Sequence, residues 1–387
     1  MRFLLICLLM ILSLSMFAIS NYACISTLNN PSAADYGFGV EGGTANIWNV
    51  NPLSAWSNPA KLGYMDGFSY GFSIYQPFPD VTNLDDVYRK SSYMSYGWNG
   101  IGFMLPMVNF SGKFGTTQEW GKQDNVDEVG QIIGIFTPEE TAMDFAFGAN
   151  ILEILHAFYN HPPRHLNYDI SVGFNLTSIK SELVPEFCGA SESLSDPTGN
   201  GMSTNIGILA RYTPSKILNS SFTSGEFTAG LNLLNPFSST IYYTDKDQAD
   251  LLPTGNKLGL AGRINLDRKW LETVFQNADT SLLASFCDYV VSVTGTIDYA
   301  DYKYWQTHSM GIEVTLLDIL SYRLGHYSDE KGGLNGLTAS IGLGFHYKNY
   351  FRCQFNLSGF VADGYANTPA IMDFGINLNL IKMLGFS

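Results

Sequence analysis

Three groups of residues have types and spacings that could do chemistry. Gly37-Phe38-Gly39-Val40-Glu41-Gly42 matches GxGxxG, the pattern in which glycines let a backbone close on a pyrophosphate. That chemistry requires an apolar strand before the glycines and a helix after them. Neither pattern is present, so the stretch reads as tightly turned chain. His156, His161 and His165 form the second group. Their irregular spacing, interrupted by Pro162 and Pro163, reads as an exposed loop rather than a metal site. GxSxG, HExxH and Walker patterns are missing from the sequence, so no catalytic residue, cofactor or metal is expected, and the chain reads as non-enzymatic. The third group is Asp144, Asp169, Glu226, Lys257, Arg263, Glu313, Arg323, Arg352 and Asp373. Each sits on the polar face of a strand-like segment, and the signs are mixed. Mixed charges suggest a salt-bridged lumen in place of a one-sign selectivity filter.

The elements that place these groups are strands. Met372, Phe374, Ile376, Leu378 and Leu380 alternate with Asp373, Gly375, Asn377 and Asn379, so one face is apolar and the other polar. The same period recurs over 142–151, 168–177, 226–233, 257–266, 309–316, 337–347 and 351–358. With 67–76, 93–105, 129–136, 202–213, 283–299 and 320–327 added, about fourteen strands are expected, an even number as a single-chain bacterial barrel requires. Short links at 317–319 and 348–350 and longer ones at 179–201 and 328–335 fit periplasmic turns and extracellular loops. The long stretch 106–128 does not fit that alternation. Residues 267–280 suggest a short helix, with Trp270, Val274 and Phe275 on one face. A soluble sandwich or propeller also shows period-2 strands. The polar, Gly-rich face over long strands and the aromatics near strand ends favour a transmembrane antiparallel β-barrel.

Composition agrees. Charged residues make up 14% of 387, against roughly 25% in soluble proteins. Aromatics also reach 14%, with 38 glycines. The net charge of −14 argues against a nucleic-acid partner. Residues 1–20 carry Arg2 and then an apolar run, with Ala18 and Ser20 at a cleavage point, and read as a signal peptide. The run is too short for a spanning helix. Cys24 lacks a lipobox, with Asn21 where Leu belongs. Among Cys24, Cys188, Cys287 and Cys353 a disulfide is permitted by export, but three pairings are open. The organisation is signal peptide 1–20, an N-terminal hatch or plug 21–66, and a barrel 67–387. The lumen charges are candidate contacts for that plug. Location in the bacterial outer membrane makes its lipid one partner.

The most specific local signal is Asn58-Pro59-Ala60-Lys61-Leu62, flanked by Trp48 and Trp56. It resembles the N-P-A-x-L hatch element of FadL-type outer-membrane proteins, and the glycines Gly37–Gly43 resemble those upstream of it. Tyr322–Tyr327, Gly336–Phe345 and Leu252-Pro253-Thr254-Gly255 resemble elements of the PorV/PorQ branch. Two departures stand out: Lys61-Leu62-Gly63 replaces Gly-Leu-Ala, and Ser387 follows the terminal aromatic Phe386. The resemblance implies Asn58, Pro59, Ala60 and Leu62 as the hatch motif. It implies either a PorV-like role in type IX secretion, with secreted proteins as partners, or a FadL-like passive channel for hydrophobic small molecules. Trp48 and Trp56 are candidate pocket-lining residues, with packing on the barrel wall the plainer alternative. An outer-membrane hydrolase is a distant third.

Overall fold

A computed structural model describes residues 28–49, 51–76, 86–126, 131–159, 167–182, 198–214, 217, 222–242, 249–274, 283–302, 305–329, 335–348, 350–362 and 370–379. The signal peptide, Cys24, Cys188, His161 and His165 lie outside the described residues.

The chain forms a closed antiparallel barrel of 14 staves, most of them single strands. The first half runs β1 (Gly67–Gln76), β2 (Val87–Trp98), β3 (Ile101–Pro106), β4 (Gly115–Trp120), β7 (Glu139–Asn150), β8 (Tyr168–Glu182), β9 (Thr198–Tyr212) and β10 (Thr223–Leu234). The second runs β13 (Gly255–Asp267), β14 (Tyr289–Tyr302), β15 (Trp305–Leu316), β16 (Leu320–Asp329), β17 (Asn335–Tyr347), β18 (Phe351–Ala362) and β19 (Ala370–Leu378). β3 and β4 share one stave, since both pair with β2 on one side and with β7 on the other. β19 closes on β1 from Phe68↔Leu378 to Gln76↔Ala370. Two small hairpins stand beyond the staves at the long-loop rim: β5 (Gln123–Val126) with β6 (Ile132–Phe136), and β11 (Thr240–Tyr242) with β12 (Ala249–Leu251).

The period-2 pattern sorts side chains as the pleat demands. Phe103, Phe145, Phe174, Leu260, Ile297, Ile312, Leu324 and Leu357 are exposed on the outside, while Ser95, Asn175, Thr228, Thr294, Ser340 and Asn356 are buried inside. An exposed apolar belt over a buried polar lumen inverts the soluble pattern and is the surface of a barrel that spans a bilayer. Trp98, Tyr168, Tyr212, Tyr322 and Tyr347 are exposed at the rim of the short turns, at interfacial depth. Among the described residues no helix is long and apolar enough to cross a membrane.

The strand count agrees with expectation, but two compensating errors lie beneath it. Residues 93–105, expected as one strand, are two strands joined by a two-residue turn at Asn99 (φ 48°) and Gly100 (φ 79°). Asn-Gly is the dipeptide that a tight hairpin of this kind favours, because both central residues need positive φ. Residues 129–136, expected as a stave, contribute β6 of the outlying hairpin. The long stretch 106–128 hides β4, whose stave is interrupted by an excursion over residues 107–114. In the second half, residues 283–299 divide into a helical turn, Leu283–Phe286, and β14. Lys269–Val274 is helical.

Residues 28–49 and 51–66 lie within the lumen and carry little regular structure. A short helix, Ala33–Tyr36, and two 3-10 turns, Pro52–Trp56 and Pro59–Tyr64, are their main regular elements among the described residues.

Candidate functional site

The hatch is built from a repeated device. Asn51-Pro52 and Asn58-Pro59 each start a 3-10 turn, with the asparagine as N-cap and proline at the first position. Asn51 Oδ1 accepts from Leu53 N at 3.1 Å, and Asn58 Oδ1 from Ala60 N at 3.0 Å. Proline loses nothing there because its missing N–H would have no helical partner. Asn58 also donates through Nδ2 to the Ile208 and Leu231 carbonyls, both at 3.3 Å, and so joins the hatch to β9 and β10. Ala60 and Leu62 are fully buried.

Lys61, the departure from the motif, has a defined task. Its Nζ donates to Ser57 Oγ at 2.6 Å and to Asp35 Oδ2 at 3.3 Å, and both charged side chains are almost wholly buried. Burial pushes the Asp35 carboxyl up and the Lys61 ammonium down, and each partner partly offsets the other's shift. Lys61 and Asp35 therefore clamp the two ends of the hatch together. Sequence reading missed Asp35, since a lone aspartate in a Gly-rich stretch gives no signal.

Two carboxylates of the wall hold hatch backbone directly. Asp373 Oδ2 accepts from Ala33 N (2.7 Å) and Ala34 N (3.3 Å), while Asn356 Nδ2 donates to its other oxygen. Asp298 accepts from Gly43 N (3.0 Å) and Thr44 N (2.8 Å). Asp298 was also missed, because the misjudged start of β14 obscured its inward position. Among the other lumen charges, Asp169 accepts from Tyr64 Oη (2.6 Å) and from Arg211, and Glu226 accepts from Trp48 Nε1 (3.1 Å). Lys257 pairs with Glu41 at 3.3 Å. Arg323 pairs with Glu313 at 2.6 Å, donates to Asn356 Oδ1, and lies 6.0 Å from the Phe38 ring centre. Arg263 and Arg352 line cavities beside Trp48 at the short-turn rim. Asp144 faces strands alone, accepting from Asn175 (2.9 Å) and Thr177 (2.5 Å).

Inward glycines make room for the hatch. A Cβ at Gly173 would lie 2.5 Å from Ala60 N, at Gly311 2.7 Å from Phe38 Cα, and at Gly325 2.5 Å from Gly39 N. At Gly71, Gly97, Gly102 and Gly207 it would collide with Asn51, Met65, Leu62 and Asn58 respectively. These positions spread over seven staves, so the wall has surrendered side chains wherever hatch backbone crosses it.

One stave departs from this close fit. Between Met104↔Ala146 and Thr116↔Ala142, Met143, Asp144 and Phe145 of β7 stand outside the ladder pairing with the neighbouring stave, although Tyr93↔Pro106 and Ser92↔Gly115 keep that stave continuous against β2. The 107–114 excursion leaves the stave between Pro106 and Gly115 and is knotted by Asn109, whose Nδ2 donates to Lys90 O, Gly115 O and Thr117 Oγ1. Phe110 lies edge-on against outward-facing Phe72, with centroids 5.0 Å apart. Beside this segment Leu53, Ala55, Trp56 and Leu62 of the hatch pack with Tyr93, Met104, Ala142 and Ala146 of the wall, with the buried Asp144 carboxylate between Ala142 and Ala146 on the same inward face. Trp56 meets Tyr93 edge-to-face at 6.0 Å. Trp56 also borders a cavity of about 260 Å³ on the long-loop side, with Tyr36, Tyr75, Tyr302, Tyr327 and Arg89 in its walls.

No protein-family model matches the chain, and no curated protein matches it. Solved structures with a similar architecture include the TodX deltaS2S3 mutant monoaromatic hydrocarbon channel, 10% identical, with 91% of this chain and 99% of that chain covered and a TM-score of 0.49. The Ralstonia pickettii toluene transporter TbuX is 12% identical over 92% of this chain and 100% of that one, with a TM-score of 0.40. A Pseudomonas aeruginosa FadL homologue is 9% identical over 93% and 100%, with a TM-score of 0.42. At these identities the likeness concerns architecture and assigns no substrate.

Proposed function

We propose that the chain is a FadL-type passive channel of the outer membrane that moves a small apolar molecule sideways, without turning it over. The observation that carries this reading is the apolar cluster around Trp56, Tyr93 and Met104, which lies beside the unpaired ladder segment Met143–Phe145. An axial route meets the hatch, whose backbone lies against the inner wall on many staves. On this reading an apolar solute moves from the cavity that Tyr36, Tyr75 and Tyr302 help to line, past Trp56, to the wall at the unpaired ladder segment Met143–Phe145, where the sheet parts to let it into the bilayer. The short-turn rim then faces the periplasm and the long-loop rim the exterior.

The test is uptake of a radiolabelled monoaromatic compound by cells with and without the protein. Ala146→Trp fills the apolar cluster beside Met143–Phe145. It is expected to lower protein-dependent uptake at least tenfold while the barrel still migrates as a folded species in unheated gels. Uptake unchanged in this variant sinks the lateral route. One observation favours the PorV-like alternative: the β5–β6 hairpin stands at the external rim with Ile132 and Ile135 exposed, an apolar surface suited to a protein. Crosslinking from that hairpin to a secreted protein, with no uptake activity, would select secretion.

A further inference from the structure

We propose that Asp288, Asp318 and His346 form a binding site for one divalent metal ion of the zinc type at the short-turn rim. Three separate connections supply the ligands. Asp288 precedes β14, Asp318 lies in the tight β15–β16 turn, and His346 is at the inward face near the end of β17. One ligand atom from each lies within 4.8 Å of the others. Modest side-chain rotation brings such a set to the about 3.3 Å that separates two ligands on a tetrahedral zinc ion. His346 is 7% exposed, and its Nε2 is buried with no hydrogen-bond partner, 3.7 Å from Asp288 Oδ2. A buried imidazole nitrogen without a partner carries a desolvation cost that a coordinated cation would remove.

The surroundings hold the ligands in place. Asp318 Oδ2 accepts from the backbone N–H groups of Asp288 (2.8 Å) and Tyr289 (2.9 Å), which leaves Oδ1 for an ion. The turn is fixed by positive φ at Leu317 and Asp318. All three ligands line one cavity of about 130 Å³, roomy enough for water to complete the coordination. Glu313 and Arg323, also in its walls, neutralise each other, and Arg352 is the cross-strand partner of His346. Imidazole with two carboxylates suits zinc better than calcium or magnesium, which want oxygen throughout. An ion here would tie three rim connections together beside the hatch.

The experiment is zinc binding to the full-length protein in detergent after chelation, read as metal per chain and by titration calorimetry. One Zn2+ per chain is expected. Binding is expected to weaken at least tenfold in both His346→Gln and Asp288→Asn, with folding checked by gel migration before and after heating. A control variant carrying His156→Gln, which the structure places in the helix Ile151–Tyr159 and not in a loop, together with His161→Gln and His165→Gln, is expected to bind as the wild type does. Equal binding by the wild type and a folded rim variant overturns the site, as does loss of binding confined to that control variant.

Discussion

The seam between hatch and wall and the broken stave between β3–β4 and β7 solve opposite problems with the same backbone. At the seam, polar groups of both partners are matched: Asp298 and Asp373 cap hatch amides, and Asn58 donates to two wall carbonyls. Glycines bring the backbones close there. At the interrupted stave, three residues of β7 are outside the ladder on one side, and apolar side chains of hatch and wall pack beside them around Asp144. Directional, numerous contacts favour one fixed arrangement, whereas apolar packing is non-directional and tolerates exchange of its occupants. On the lateral reading proposed above, the difference teaches that obstruction and passage can be kept at separate places in one lumen.

Substitutions on the two sides should therefore behave differently. The largest effect is expected from Lys61→Met, which strips the cation from buried Asp35. Loss of one partner of a buried pair costs about 3–5 kcal/mol, and bilayer recordings should show the variant passing ions where the wild type is tight. The effect has a sign with pH. Without Lys61, burial raises the Asp35 carboxyl further, so the folded hatch holds the proton more firmly than free chain does. Docking is then preserved at acid pH and lost as pH rises through that raised value, so conductance should climb as the pH is raised. A pH-independent conductance would separate the leak from Asp35.

A smaller effect is expected from Gly207→Val, whose side chain runs into Asn58. Overpacking of this kind costs about 1–3 kcal/mol, seen as earlier hatch release in urea. Gly295→Val is the control, since it faces outward with only one atom near its Cβ site, and should leave the hatch untouched. Equal effects of the two would undo the distinction between seam and exterior. The smallest change belongs to Phe110→Ala at the broken stave. It removes the edge-to-face contact with Phe72, worth about 0.5–1.5 kcal/mol, and should alter uptake kinetics without any ion leak.

These regions were not equally legible in the sequence. β13 and β15 to β19 alternate cleanly, so the period-2 rule located them to within a few residues. The first half failed where one stave is broken. Excursion 107–114 interrupts the alternation, and Asn99-Gly100 was overlooked although the apolar set changes phase across it, from Met94, Tyr96 and Trp98 to Ile101, Phe103 and Leu105. Asn58-Pro59-Ala60 was visible because a capped turn leaves a local signature. The partners it meets, Ile208 and Leu231, offer carbonyls that any residue would provide, so no side-chain type announces them. Asp35 and Lys61 lie 26 positions apart, and only the fold of the hatch makes them neighbours.

One feature of the seam bears on how the molecule is made. The hatch precedes β1 in the chain, and its last residues reach the strand that completes the circle. Asn377 Nδ2 donates to Asp66 O and Asn379 Nδ2 to Asp66 Oδ2, each at 2.8 Å. The first residues to emerge thus offer a docking point for the final strand to arrive. The hatch can act as a former around which the sheet curls, setting the circumference and the register in which the two edges meet. A sheet that curls without its former has no such gauge for closing.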